Sequence, residues 1–134
     1  KIYDAAKKEI LIISKAFEYF SDVSESLRGA IEKSVTVRII LMNPKKLDSN
    51  DAVKQKNIID AINKDFGKDI MFKFSNEVPI RGSIIDPESN GQAIFLVEDP
   101  GVPFFLREAA ITSHRNVVKG LAIIFNSLWE QSSD

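Results

Sequence analysis

The chain contains no cysteine, which rules out disulfides, thiolate nucleophiles and Cys-ligated metals together. Only one histidine, His114, is present, so multi-histidine metal sites are excluded and any imidazole chemistry would rest on a single side chain. Neither sign of charge is in excess. The formal net charge is −1, which gives no reason to expect a nucleic-acid or anionic-membrane surface, although a balanced total leaves room for a local basic patch. No apolar run approaches the roughly 20 residues that a membrane-spanning helix needs, and no signal-peptide pattern precedes the first strand. The phosphate-cradling GxxxxGK[ST], the dinucleotide-binding GxGxxG, the zinc-binding HExxH and the nucleophile elbow are all missing. These absences count against the common nucleotide, hydride and hydrolase chemistries.

What is present fits one globular domain: 134 residues, 44% hydrophobic and 28% charged. The densest punctuation lies in Val78–Glu98, VPIRGSIIDPESNGQAIFLVE. Residues 82–86 and 93–97 are apolar, β-branched runs, and Pro87-Glu88-Ser89-Asn90-Gly91 between them carries turn chemistry, so a hairpin is predicted. Both runs are nearly continuous in apolar residues. Strands of that kind are covered on both faces, which places the pair inside a sheet with helices on either side.

In chain order, residues 2–8 carry an amphipathic helical pattern that runs into a strand over Glu9–Ser14. Ser21 or Ser24 is a plausible N-cap for a helix reaching Lys33, followed by a strand over Thr36–Met42. This is a βαβ unit with parallel strands and a right-handed crossover. Asn43-Pro44 ends the second strand. Ser49 or Asn50 then caps a helix over 51–65, closed by Gly67, and Ile70–Phe74 alternates as a strand nearer an edge. Ala109–Thr112 reads as a short last strand. Ser113 is expected to cap a final helix over 114–130, in which Phe125 and Trp129 belong to the core face. DPGVPFFL, between these elements, places Phe104, Phe105 and Leu106 in a loop. Such exposed apolar side chains predict self-association.

The acidic residues sit among lysines on helix faces or in loops, as solvated surfaces do, so no metal site is expected. The informative constellation is Pro79-x-Arg81-x4-Asp86. With the βαβ unit and third strand before it, it resembles a phospholipase-D-like half-domain, whose motif His-x-Lys-x4-Asp places Pro79 at the histidine, Arg81 at the lysine and Asp86 at the aspartate. Proline has no side-chain nitrogen with which to attack phosphorus, and Arg does not replace a catalytic Lys, so the resemblance implies a domain without a catalytic residue.

A second resemblance covers Ile2 to Trp129. The succession AKKEILIIS, VTVRIIL, VPIRGSIID, AIFLVED, AITS and a last helix ending FNSLW is similar to the C-terminal effector domain of archaeal TrmB-like transcriptional regulators. In that family a degenerate phospholipase-D-like domain senses small molecules, often sugars, while an N-terminal winged helix binds DNA. The resemblance thus implies a cytoplasmic, non-catalytic sensory domain acting as a homodimer. DNA would be reached only through a domain missing from this chain, which starts without an initiator methionine. Similar modules precede archaeal histidine kinases, and a phospholipase-D-type phosphodiesterase half-domain is the enzymatic alternative.

The expected fold is α/β: a single domain with a mixed, largely parallel sheet and helices on both faces. Ligands of such sheets bind beyond the carboxyl ends of the strands. The candidate ligand-binding residues are therefore Ser14, Lys15, Asn43, Arg81 and Asp86, with Thr112, Ser113, His114 and Arg115 at the start of the last helix, where free N–H groups favour an anion or a sugar hydroxyl. A small-molecule effector, a sugar or an anion, is the expected partner; no cofactor and no membrane are expected. Two local alternatives stay open. Asp86 serves either a site or the turn with Pro87, and Arg81 either binds effector or pairs with Asp86 or Glu77 to hold the hairpin.

Overall fold

The computed structural model describes residues 2–97 and 109–134. The self-association expected of PGVPFFL concerns residues outside this set. A 3-10 turn over Ile2–Ala5, shorter than the predicted helix, leads into β1 (Glu9–Ile13), α1 (Phe20–Glu32), β2 (Thr36–Met42), α2 (Ser49–Phe66), β3 (Ile70–Ser75), β4 (Ile80–Ile85), β5 (Gln92–Val97), β6 (Ala109–Thr112) and α3 (Arg115–Gln131). The caps shift by a residue or more. Asp48 caps α2 by accepting from Asp51 N at 2.8 Å, and Tyr19 occupies the N-cap position of α1 without a side-chain cap. Gly67, at φ 56°, closes α2 in the left-handed conformation that glycine adopts without strain.

The strands form one mixed sheet in the order β3-β2-β1-β4-β5-β6. β1 pairs in parallel with β2, and β2 with β3, whereas β1–β4, β4–β5 and β5–β6 are antiparallel. The predicted hairpin is β4–β5, and β3 takes an edge as its alternating pattern required. The continuous apolar character of β1 has a direct cause. Ile10 and Ile12 face the core under α1 and α2, with Leu27, Ile62 and Phe66, while Leu11 and Ile13 face a second core under α3, with Val118, Ala122 and Phe125. Each such side chain contributes roughly 1.5–3 kcal/mol on burial, which stabilises helices on both faces.

Two residues fix the hairpin in place. The Asp86 carboxylate, at the end of β4, accepts from the backbone N–H groups of Lys7 (2.9 Å), Lys8 (2.8 Å) and Glu9 (2.9 Å) and so straps the segment before β1 to the sheet. Its backbone sits at φ 47°, a left-handed conformation that Asp tolerates better than most residues. Gly82 lies opposite Phe95 where β4 pairs with β5. A Cβ there would stand 2.8 Å from Phe95 Cα and closer still to the Ile94 carbonyl oxygen, so only glycine lets the strands approach.

Candidate ligand-binding cleft

A cleft of about 950 Å³ opens at the carboxyl ends of β1 and β2, on the sheet face that carries α1 and α2. Its volume lies within the range of small-molecule sites. Ser14, Lys15 and Phe17 follow β1, Met42 ends β2, and Leu47 and Asp51 approach from the start of α2. Arg81 and Ser83 project from β4, and Tyr3 and Tyr19 close the wall nearest them.

The rim is held by backbone contacts that the side chains enforce. The buried Gln55 of α2 donates from Nε2 to the carbonyls of Lys15 (2.8 Å) and Met42 (2.7 Å), tying β1 to β2 where they enter the cleft. Ser14 Oγ accepts from Phe17 N at 3.1 Å, which turns the chain back after β1. Phe17 pays for that turn with φ 57°, unusual for a residue with a side chain, and its fully buried ring packs edge-on against Tyr19 at 4.8 Å and Phe20 at 5.6 Å.

The polar centre is a cluster of hydroxyls beside Arg81. Tyr3 Oη and Ser83 Oγ share a hydrogen bond of 2.5 Å. Tyr19 joins them: 37% of its surface is exposed, yet its hydroxyl end lies inside with Tyr3, Ser83 and Arg81, and that inner environment governs its titration. Burial pushes both phenols up, Tyr19 further because the Tyr3 phenol lies beside it; Ser83 bonds to both and partly offsets the shift. The phenols are therefore neutral at physiological pH and act as hydrogen-bond donors and acceptors rather than as anionic nucleophiles.

The nine residues expected on one rim fall at opposite ends of the sheet. Ser14, Lys15 and Arg81 line the cleft, and Asn43 stands at the same end of β2. Asn43 is engaged as a cap: its Oδ1 accepts from Lys45 N at 3.0 Å and its Nδ2 donates to Asn76 at 3.1 Å. Asp86, Ser113 and Arg115 line a separate cavity of about 350 Å³ beside the β4–β5 turn. Thr112 and His114 lie at that end too, where Thr112 Oγ1 accepts from His114 N at 3.0 Å and the exposed His114 begins α3 without a side-chain cap. The cause is strand direction. β4 runs against β1, so Gly82 pairs with Ile13 and Ile85 with Ile10, and the carboxyl end of β4 reaches the amino end of β1. Asp86 thus holds the chain before β1, and the predicted grouping of Arg81 with Ser113 is not formed. Tyr3, Tyr19 and Ser83, which line the cleft, and Gln55, which ties its rim, are not among the site residues expected from the sequence.

Among the described residues, a mixed six-stranded sheet with two helices on one face and one on the other gives an α/β domain of phospholipase-D-like fold. No protein-family model and no curated protein sequence matches the chain. Solved structures do. TrmBL2, an archaeal chromatin protein with a novel mode of DNA binding, superposes with TM-score 0.69 at 21% identity over 98% of this chain and 46% of its own. Nuc, a phospholipase D family member from Salmonella typhimurium, gives TM-score 0.69 at 18% identity, over 99% of this chain and 85% of its own. NucT from Helicobacter pylori gives 0.68 at 11% identity, covering 98% and 84%. At these identities the likeness is one of fold, and this chain spans about half the length of TrmBL2.

Proposed function

We propose that this domain is a non-catalytic, small-molecule-binding regulatory module of a TrmB-like regulator. The observation that carries the reading is the cleft itself: an open site of about 950 Å³ beside Arg81, with neutral phenols and, among the described residues, no histidine or cysteine in its lining. Pro79 stands where the phospholipase-D motif has its attacking histidine, and His114 lies at the other end of the sheet. Arg81 offers fixed donors suited to a phosphate, a carboxylate or vicinal sugar hydroxyls, and Tyr3, Tyr19 and Ser83 can donate or accept beside it. Fold likeness to TrmBL2 supports a regulatory setting, in which DNA is contacted by a domain outside this chain, as a net charge of −1 favours.

The competing reading, a phosphodiesterase, draws on the fold shared with Nuc and NucT. One set of measurements separates the two. The purified domain is titrated calorimetrically with inorganic phosphate and with neutral mono- and disaccharides, and is assayed for hydrolysis of bis(p-nitrophenyl) phosphate. Saturable binding of one probe without turnover is expected. Arg81→Met, which keeps most of the stem's packing, is expected to weaken that binding at least about tenfold with little change in melting temperature, the loss of one charge-assisted contact. Turnover above background that co-purifies with the domain sinks the non-catalytic reading; unchanged affinity in a variant that melts lower makes Arg81 a structural residue.

A further inference from the structure

We propose that the outward face of α3 is a docking surface for a second copy of this chain, with the two α3 helices packed antiparallel about a two-fold axis. The inner face of α3 is already used: Val118, Ala122 and Phe125 are buried against the sheet. The opposite face carries Asn116, Val117, Gly120, Ile123, Ile124 and Ser127 at helical spacing. It presents large apolar side chains to solvent, Ile123 at 69% exposure, Ile124 at 45% and Val117 at 42%. Solvated helices in this chain look different. α2 carries Asp51, Lys54, Lys56, Asp60, Lys64 and Asp65, whereas between Arg115 and Glu130 α3 has Lys119 alone. A contiguous uncharged face on an otherwise charged domain marks an interaction surface.

Charge placement identifies the occupant. Lys119 and Glu130 lie on the same flank of the helix, on opposite sides of the midpoint at Ile123–Ile124. Antiparallel pairing of two identical helices sets like flanks against each other, so Lys119 of each copy meets Glu130 of the other, twice, while the isoleucines meet at the centre. Gly120 and Ser127 then oppose one another and allow the backbones to approach, and the helix dipoles are opposed as well. Such an interface is isologous and closes as a dimer. It is independent of the cleft, which lies on the other face of the sheet.

Sedimentation velocity across a wide concentration range, with the whole chain, tests the arrangement. A concentration-dependent dimer is expected. Ile123→Glu, at a position exposed enough to tolerate charge, is expected to raise the dimer dissociation constant at least tenfold while leaving the circular dichroism spectrum unchanged. Lys119→Glu and Glu130→Lys are each expected to weaken the dimer, and the double swap to restore it. A wild-type chain that is monomeric at every concentration overturns the proposal, because this face is then covered by the chain itself or by another protein. So does a dimer indifferent to Ile123→Glu, or one weakened by both single swaps that the double swap fails to rescue.

Discussion

At the scale of single residues, Asp86 acts as a structural anchor, its carboxylate holding the chain before β1. Burial acts to raise its carboxyl pKa, but the N–H groups of Glu9, Lys7 and Lys8, with the Lys7 charge, outweigh it and hold the group below the usual carboxylate range. A depressed folded pKa contributes stability that is complete above the unfolded value of ~3.9 and is lost as pH falls through the folded one. Urea denaturation between pH 7 and pH 3 is therefore expected to show a fall in stability below about pH 4. Asp86→Ala is expected to cost about 3 kcal/mol at pH 7, since three N–H donors lose a charged acceptor, and to flatten the acid dependence. An equal acid slope in the variant would assign the loss to other carboxylates. Gly82→Ala tests the close approach of β4 to β5: with backbone rather than a flexible side chain in the way, it is expected to lower stability by about 1–3 kcal/mol, read from the denaturation midpoint. The residues of the cleft were only partly legible in sequence. Arg81, Ser14 and Lys15 were reached through the motif and the strand ends, but Tyr3 and Tyr19 sit in segments whose local pattern speaks only of packing, and Gln55 becomes a rim residue only once α2 is laid across β1 and β2.

At the scale of elements, the strands and helices follow from patterns that the chain states openly. β2 begins and ends where its apolar run does, and α2 closes at the glycine that suits a left-handed cap. Strand direction was harder to read, because a strand covered on both faces has the same apolar run whichever way it points. A signal was available nonetheless. β3 and β4 are joined by residues 76–79 alone, too short for the crossover that parallel strands need, so β4 had to reverse and carry Asp86 away from the cleft. The end of α3 illustrates a second limit of pattern. Phe125 is fully buried as its spacing required, but Trp129 is half-buried: it stacks on Phe125 at 5.8 Å and receives Arg38 at 5.3 Å and Lys73 at 4.8 Å over its ring. Trp129→Ala is accordingly expected to cost about 2 kcal/mol, less than the ~3–5 of a fully buried aromatic, with the cation–π contacts supplying part of the loss. A loss above ~4 kcal/mol in chemical denaturation would mean that Trp129 is covered by more than these neighbours.

At the scale of the whole molecule, one sheet separates two cores, and the central strands belong to both. Ile10 and Ile12 of β1 support α1 and α2, Leu11 and Ile13 support α3, and in β2 Ile39 and Ile40 divide in the same way. Neither core can be dissolved without exposing the other side of the same backbone, so the two are expected to melt together. The sequence offers a convenient reporter, since the single tryptophan, Trp129, belongs to the α3 side, while the far-ultraviolet circular dichroism signal reads all helices. Leu27→Ala removes a buried side chain from the α1 core and Phe125→Ala one from the α3 core, each costing about 2–5 kcal/mol. If the sheet couples the cores, Leu27→Ala moves the Trp129 fluorescence transition as far as it moves the dichroism transition, although residue 27 lies on the opposite face. Were the fluorescence transition to stay in place while the dichroism transition shifted, α3 with its strands would be unfolding as a separate unit. Binding in the cleft would then have no energetic route through the sheet to the α3 face, because a coupling between sites requires an element that both of them bias.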